Sequence, residues 1–154
     1  MSEISEEFPG PTPHLVVADA DAAIRFYREA FGADELVRNQ TSDGRIMHCE
    51  LLLLGGRLLV ADDFDADPVS SPDRLGGTTV RLHLYVPDVD ASYARALAAG
   101  ASGVVEPYDA FWGDRYAMIR DPAGHLWSLG AGHEDITVAE VESRADTWSQ
   151  RNPA

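Results

Sequence analysis

Two histidines and one aspartate could bind a metal ion. His14 and His83 lie 69 residues apart, and Asp62 stands where an apolar segment runs into acidic residues. Two imidazoles and one carboxylate make up the facial triad that holds iron in non-haem oxygenases. A simpler interpretation also fits, in which both imidazoles line a pocket or form hydrogen bonds and Asp62 only begins the acidic loop. The sequence leaves a metal site at His14, Asp62 and His83 open as an alternative.

A second polar pair, His48 and Glu50, alternates with Met47, Cys49 and Leu51. This alternation predicts a strand with one polar and one apolar face. If the apolar face packs under helices, His48 and Glu50 face a binding surface. His48 is then the candidate general base, because imidazole titrates near neutral pH. The other interpretation is a polar face that is merely solvated. Cys49 is predicted to be a buried small side chain.

Aromatic residues gather in one stretch of the second half of the chain. They are Tyr108, Phe111, Trp112 and Tyr116. Aromatic rings at the mouth of a pocket stack on planar or cationic ligands. We therefore expect Trp112 and Tyr116 to contact a ligand, and Arg115 to pair with a ligand carboxylate or phosphate. The alternatives are rings that cap the core and a structural salt bridge at Arg115.

An internal repeat supplies the elements that position these residues. Residues 17–22 match residues 86–91 as V-x-D-x-D-A, and later glycines match at nearly the same offset. In each half an apolar strand leads to an aspartate that can cap a helix, and three strands follow the helix. The helices are predicted to end at Gly32 and Gly100. Each half is therefore predicted to be a βαβββ unit, and the fold class is α+β.

The pattern also predicts the bounds of the strands and the domain organisation. The predicted strands are 14–17, 35–41, 45–54 and 57–62 in the first half, and 80–86, 103–107, 114–120 and 125–129 in the second. Residues 1–9 are expected to be a flexible acidic segment, and residues 10–131 one domain with half-units 10–64 and 79–131 joined by a linker, 65–78. Residues 132–154 are expected to form a helical tail, which begins at a capping box of Thr137 and Glu140.

The composition excludes several classes of partner. The chain has 154 residues with 12 Lys or Arg and 26 Asp or Glu, so its formal net charge is −14. This excess of acid disfavours binding to nucleic acid or to an anionic membrane. The sequence shows neither a membrane-spanning apolar run nor a signal sequence, so we expect a cytoplasmic protein. Within the acidic residues, the cluster at residues 62–67 is the part that could attract a cationic ligand.

The repeat and the D-P-x-G turn before its last strand resemble the vicinal oxygen chelate superfamily, which includes glyoxalase I, the bleomycin-resistance proteins and the extradiol dioxygenases. Residues 44–50, 82–86 and 113–115 look like the PhnB-like glyoxalase subgroup, and residues 121–127 complete that pattern. The resemblance covers residues 10–131. It implies that the two units form a half-open mixed β-barrel whose concave face binds the ligand, and that the protein is a homodimer.

The resemblance also allows a test for the metal site of this superfamily. Metal-dependent members carry four ligands, drawn from His, Glu and Gln, on the first and fourth strands of each half. The corresponding positions in this chain are Thr12, Val60, Arg81 and Ser128. These residues do not form a divalent metal site, and Arg81 would repel a cation. We therefore expect no glyoxalase-type metal, and a divalent metal cofactor only in the alternative at His14, Asp62 and His83.

Three function classes remain, and the least specific of them is a regulatory or interaction module whose acidic surface contacts a partner protein. The first is a protein similar to the bleomycin-resistance branch, which binds a small cationic or aromatic molecule on the concave face without a metal. The alternative is a metal-dependent lyase, isomerase or dioxygenase that uses the shifted His14, Asp62 and His83 site, so whether the protein is an enzyme stays open. The residues predicted to contact the ligand are His14, His48, Glu50, Arg81, His83, Trp112, Arg115 and Tyr116.

Overall fold

The computed structural model describes Phe8 and residues 10–152. The rest of the expected flexible segment 1–9 lies outside the described residues. The elements are β1 (His14–Val17), α1 (Ala20–Phe31), β2 (Asp34–Gln40), β3 (Ile46–Leu53), β4 (Gly56–Asp62), α2 (Pro72–Leu75), β5 (Arg81–Tyr85), α3 (Val89–Ala98), β6 (Ser102–Asp109), β7 (Asp114–Arg120), β8 (Leu126–Gly132) and α4 (Val138–Arg151). β1 and β7 coincide with the predicted strands, and the other strands differ from prediction by one to three residues at an end.

The eight strands form two four-stranded sheets, one in each half of the chain. The strand order is β1-β4-β3-β2 in the first sheet and β5-β8-β7-β6 in the second, so both halves have the same topology. β1 runs parallel to β4 and β5 runs parallel to β8, whereas the other neighbours are antiparallel. The predicted α+β fold of two βαβββ units is confirmed. The strands stay in two open sheets and form no closed barrel.

Aspartates begin the two long helices of the repeat. The Asp19 carboxylate accepts a hydrogen bond from the Ala22 N–H at 2.9 Å, and Asp88 does the same in α3. α1 ends as predicted at Gly32, whose φ of 70° is easily reached by glycine. The second helix ends one residue before the predicted Gly100, because its C-cap is Ala99. The last helical residue of α3 is Ala98, and Gly100 follows in the connection to β6.

Two further helices lie outside the repeat. α2 is a single turn within the predicted linker 65–78, and it begins at Pro72, whose fixed φ suits the first position of a helix. α4 begins at the predicted capping box, where the Thr137 side chain and the Glu140 side chain each bond to the other residue's backbone N–H. Among the described residues, no helix is long and apolar enough to cross a membrane.

The hydrophobic core joins the two halves. α1 and α3 pack against each other, and each also packs on the sheet of its own half. Trp127 of β8 reaches across to α1, where its ring lies 5.4 Å from Tyr27 and 5.2 Å from Phe31. Asp121, in the turn before β8, accepts hydrogen bonds from both Tyr27 and Trp127. The two units therefore share one core rather than folding around two separate ones.

Candidate functional site

The strand pattern divides each sheet into a face that packs against the helices and a face that does not, which we call the helix-free face. In β3 the side chains of Cys49 and Leu51 are buried in the core. Their neighbours His48 and Glu50 therefore lie on the helix-free face, as predicted, because side chains alternate along a strand. Burial raises the pKa of the Cys49 thiol to about 11, so this cysteine is a poor nucleophile at neutral pH.

On the helix-free face of the first sheet, His14, His48, Glu50 and Arg57 form a polar cluster. The His14 and His48 rings meet edge-on with their centroids 6.3 Å apart. His48 Nε2 lies 3.1 Å from Glu50 Oε1, and Arg57 donates to the other carboxylate oxygen of Glu50 at 2.9 Å. Burial, and secondarily the nearby His48, lower the pKa of His14. The structure thus brings together the three residues that the sequence analysis selected in the first half.

Five rings lie together on the helix-free face of the second sheet and in the turn before β7, and we call them the aromatic cluster: His83, Tyr85, Tyr108, Trp112 and Tyr116. The Tyr116 ring stacks on His83 at 6.4 Å and meets Trp112 edge-on at 5.3 Å. Tyr85 contacts His83 at 5.3 Å. Tyr108 contacts Tyr116 at 5.8 Å. Since Tyr116 is 8% exposed and Tyr85 is 60% exposed, the cluster has a buried floor and an accessible rim.

A carboxylate lies within this cluster. Asp114 Oδ2 accepts a hydrogen bond from the Tyr85 hydroxyl at 2.6 Å and one from Trp112 Nε1 at 3.1 Å. The bond to Asp114 raises the pKa of Tyr85, which therefore remains a donor at neutral pH. Asp114 was not among the residues predicted to contact the ligand. Its position beside Trp112 was visible, but its contact with Tyr85, 29 residues earlier in the chain, was not.

Gly130, on the neighbouring strand β8, leaves room for the His83 ring and the Asp114 carboxylate. A Cβ atom at this position would lie 3.0 Å from the Cε1 and Nε2 atoms of His83 and 3.8 Å from Asp114 Oδ2. The imidazole and the carboxylate thus occupy the space above Gly130 that a side chain would fill. The backbone of β8 is therefore part of the floor of the site.

The alternative metal site at His14, Asp62 and His83 does not form. The Asp62 carboxylate accepts backbone hydrogen bonds from Ala20 at 2.8 Å and from Ile46 at 2.6 Å, so it anchors the start of α1 and of β3. His83 Nδ1 lies 2.7 Å from the Ser128 hydroxyl. Within Phe8 and residues 10–152, no group of three or more His, Cys, Asp or Glu side chains could hold a metal ion.

The pairing of the strands also corrects one of the four positions that were matched to the metal ligands of the superfamily. His14 pairs with Leu59 on β4, and the equivalent His83 pairs with Ser128 on β8. Leu59, not Val60, is therefore the counterpart of Ser128, and the buried Val60 side chain belongs to the core. The offset of the repeat is therefore 69 residues for both pairs, one more than the offset that had matched Val60 with Ser128. A leucine is no better a metal ligand than a valine, so these residues do not fit a glyoxalase-type ion.

Arg81 and Arg115, which were both predicted to contact the ligand, lie on opposite faces of the second sheet. Arg81 is exposed on β5, on the same face as His83. Arg115, by contrast, has its side chain on the helix side of β7, away from the aromatic cluster. Its guanidinium donates to Asp90 of α3 at 2.8 Å and to Asp109 at 3.0 Å. Arg115 therefore ties the second sheet to α3.

The acidic cluster at residues 62–67 is also not arranged as the cation site that the sequence suggested. Asp63 Oδ1 accepts from Arg74 at 2.8 Å, and its other oxygen accepts from the Ser71 N–H at 2.7 Å. The guanidinium of Arg74 also pairs with Asp65 at 3.2 Å. Together with the anchoring role of Asp62, these contacts show that the cluster stabilises the linker. On the helix-free face of the second sheet, the carboxylate that lies among aromatic rings is Asp114.

Comparison with known proteins agrees with this architecture. Residues 11–129 match the family model of the Glyoxalase/Bleomycin resistance protein/Dioxygenase superfamily. An uncharacterized protein of Mycobacterium bovis is 44% identical over 138 residues, which cover 88% of this chain and 91% of the relative.

Solved structures with the same fold include TioX, TnmS3 and FosX. TioX from Micromonospora sp. ML1 is 34% identical with a TM-score of 0.63, and the match covers 78% of this chain and 95% of TioX. TnmS3, described as an antibiotic binding protein from Streptomyces sp. CB03234, is 27% identical with a TM-score of 0.60 and coverages of 86% and 98%. The fosfomycin resistance protein FosX from Listeria monocytogenes shares the fold at 19% identity and a TM-score of 0.63, with coverages of 92% and 98%.

Proposed function

The chain belongs to the Glyoxalase/Bleomycin resistance protein/Dioxygenase superfamily, and we propose that it binds a planar aromatic molecule carrying a positive charge, without a glyoxalase-type metal. The observation that carries this proposal is the Asp114 carboxylate held among the rings of the aromatic cluster. The binding site is the helix-free face of the second sheet. The function is sequestration of the ligand, which requires no reacting residue.

The rings define the shape of the ligand. Tyr116 and His83 lie nearly parallel, with an angle of 17° between their planes, and both stand on the floor of the site. Trp112 and Tyr108 meet Tyr116 at steep angles and form walls around it. A flat ligand can stack on the floor while its edge meets the walls, and such ring pairs are favourable beyond the area that they bury.

The carboxylate defines the charge of the ligand. Asp114 receives its two hydrogen bonds on one oxygen, from neutral donors, so no ion pair neutralises it among the described residues. A carboxylate beside aromatic faces attracts an ammonium or iminium group both by charge and through the ring quadrupoles. An acidic chain with a net charge of −14 also favours the approach of a cation.

One of the similar structures supports a binding function. TnmS3, which is 27% identical to this chain, is described as an antibiotic binding protein. The residues that stand at the metal positions of the superfamily are not metal ligands. We therefore infer a binding protein rather than a metal-dependent lyase or dioxygenase.

We further propose that the protein is a homodimer in which a second copy covers the exposed sheet faces. Tyr85 and Tyr108 on the second sheet and Leu52 on the first are exposed apolar side chains on these faces, as an interface between copies would require. Sedimentation equilibrium is expected to give a mass of two chains. A single-chain mass at micromolar concentration would contradict this arrangement.

The binding proposal is tested with proflavine, a flat tricyclic cation, and with anthracene-9-carboxylate, a flat tricyclic anion. Isothermal titration calorimetry is expected to show saturable binding of proflavine and much weaker binding of the anion. Asp114→Asn removes the charge but keeps an acceptor, and it is expected to weaken proflavine binding about tenfold, as for the loss of a charge-assisted hydrogen bond. Asp146→Asn, which removes a carboxylate on α4, is the matched control and should leave the affinity unchanged.

Two results would contradict the proposal. Equal binding of cation and anion, or proflavine binding that Asp114→Asn does not weaken, would exclude Asp114 as the charge-selecting group. Turnover of a hemithioacetal that is lost in His48→Gln would instead favour an enzyme. In that case the pair formed by His48 and Glu50 at 3.1 Å would act as the general base.

A further inference from the structure

The C-terminal helix α4 lies beside the proposed binding site, although it follows the residues that match the family. The match ends at residue 129, and α4 spans Val138–Arg151. None of its residues is buried. Its contacts with the rest of the chain include a salt bridge from Arg144 to Glu134 at 2.7 Å and a ring contact from Trp148 to Phe111 at 5.8 Å. A helix with so little burial contributes little to the core.

The ring contact continues into the aromatic cluster. Phe111, which touches Trp148, meets Trp112 edge-on at 5.0 Å. Trp112 in turn contacts Tyr116 at 5.3 Å and donates its Nε1–H to Asp114. An unbroken line of rings therefore runs from α4 to the floor of the site.

Residues 133–136, which lead into α4, also pack on the turn that carries Trp112 and Gly113. The Gly113 carbonyl accepts backbone hydrogen bonds from His133 at 2.9 Å and from Glu134 at 2.8 Å. A Cβ atom at Gly113 would lie 3.0 Å from the Ile136 side chain. The turn that carries Trp112 is thus held both by this segment and, through Phe111, by α4.

We propose that α4 is a brace for the ligand site and that Trp148 is a positioning residue, which holds Trp112 against Asp114 and Tyr116 through Phe111. This inference rests on the proposed function for its effect on affinity. It assigns a role in ligand binding to a residue that touches neither the ligand nor the carboxylate. Trp148 is 51% exposed, so its contact with Phe111 can be removed with little loss of core packing.

The experiment combines a spectroscopic signal from Trp112 with ligand binding. The chain contains three tryptophans, so protein labelled with 5-fluorotryptophan gives three fluorine resonances, which single Trp→Phe variants assign. In Trp148→Ala the Trp112 resonance is expected to shift and broaden, and proflavine affinity to fall about fivefold, as for the loss of an aromatic ring pair. Trp148→Phe keeps a ring and is expected to retain the wild-type affinity and the Trp112 resonance.

Val138→Ala is the control on the same helix, because Val138 is 76% exposed and far along α4 from Trp148. It should change neither the Trp112 resonance nor the affinity. An unchanged Trp112 resonance in Trp148→Ala, or a shifted resonance with unchanged affinity, would overturn the inference while leaving the proposed function intact. Failure of wild-type protein to bind proflavine would instead contradict the proposed function, and the Trp112 resonance would still decide whether the brace exists.

Discussion

Replacing Asp121 with alanine is expected to lower the free energy of unfolding by about 4 kcal/mol, in the range measured when one partner of a buried charged network is removed. Asp121 is 3% exposed and lies at the junction of the two halves. Its Oδ2 accepts from the Tyr27 hydroxyl at 2.7 Å and from Trp127 Nε1 at 2.8 Å. Its Oδ1 accepts from the backbone N–H groups of Ala123 at 3.0 Å and His125 at 2.9 Å.

The expected loss of stability is large because two buried hydrogen-bond donors, Tyr27 and Trp127, would lose their acceptor. Tyr27 and Trp127 are almost completely buried, so water cannot replace the lost acceptor without opening the core. Burial, reinforced by the Asp121 charge, raises the pKa of Tyr27 well above its ordinary value, so its hydroxyl is a donor across the physiological range. Both donors would lose their bonds in the same variant, and the contact between α1 and β8 would weaken.

Urea unfolding followed by circular dichroism measures this loss directly. Asp121→Asn keeps one acceptor oxygen and is expected to be less destabilising than Asp121→Ala. Asp73→Ala, which removes an exposed carboxylate from α2, is the control and should change the unfolding free energy by less than about 0.5 kcal/mol. A loss below about 1 kcal/mol in Asp121→Ala would mean that the halves do not depend on this carboxylate.

Replacing Gly130 with valine is expected to raise the dissociation constant for proflavine about 30-fold or more. The new side chain would enter the space that the His83 ring and Asp114 occupy, since even its Cβ lies 3.0 Å from the imidazole. If ligand binding requires His83 to return over Gly130, that return costs about 2 kcal/mol, the size of an overpacking penalty, and corresponds to a 30-fold change in affinity. His83 must move away from Ser128, and the floor on which the ligand stacks is then no longer flat.

Gly132→Val provides a matched control on the same strand. A Cβ atom at Gly132 meets no atom within 4 Å, so the same substitution two residues later adds bulk without displacing a neighbour. Calorimetric titration of both variants, with thermal unfolding as the check on folding, separates a blocked site from an unstable strand. Unchanged proflavine binding by folded Gly130→Val protein would place the ligand elsewhere on the molecule.

Most of the fold could be predicted from the sequence because its signals are local. The Asp19 and Asp88 caps and the glycine after α1 each act within a few residues of the helix end that they determine. The alternation around Cys49 likewise shows that His48 and Glu50 share a face, since alternation is a property of any strand. Apart from the short helix α2 within the predicted linker, the errors lay at the ends of elements, where a few residues more or less change the free energy of folding little.

The binding site was less predictable because its groups meet across large separations in the chain. Selecting His83, Trp112 and Tyr116 required only residue type and strand face, and the structure brings these three rings together. Finding Asp114 required knowledge that β5 and β7 both lie beside β8, so that the Tyr85 hydroxyl reaches its carboxylate. Nothing in the local pattern distinguishes this aspartate from its neighbours.

The sequence by itself therefore determined the repeat, the order of its strands and helices and the faces of its strands, because periodicity and caps depend on nearby residues. Only the tertiary structure decided how each charged side chain is used. Asp62 became a backbone anchor and Arg115 a tie to α3, whereas Asp114 remained among aromatic rings. The physical reason is that a charge takes its role from the groups that packing brings within hydrogen-bond distance, and those groups come from distant parts of the chain.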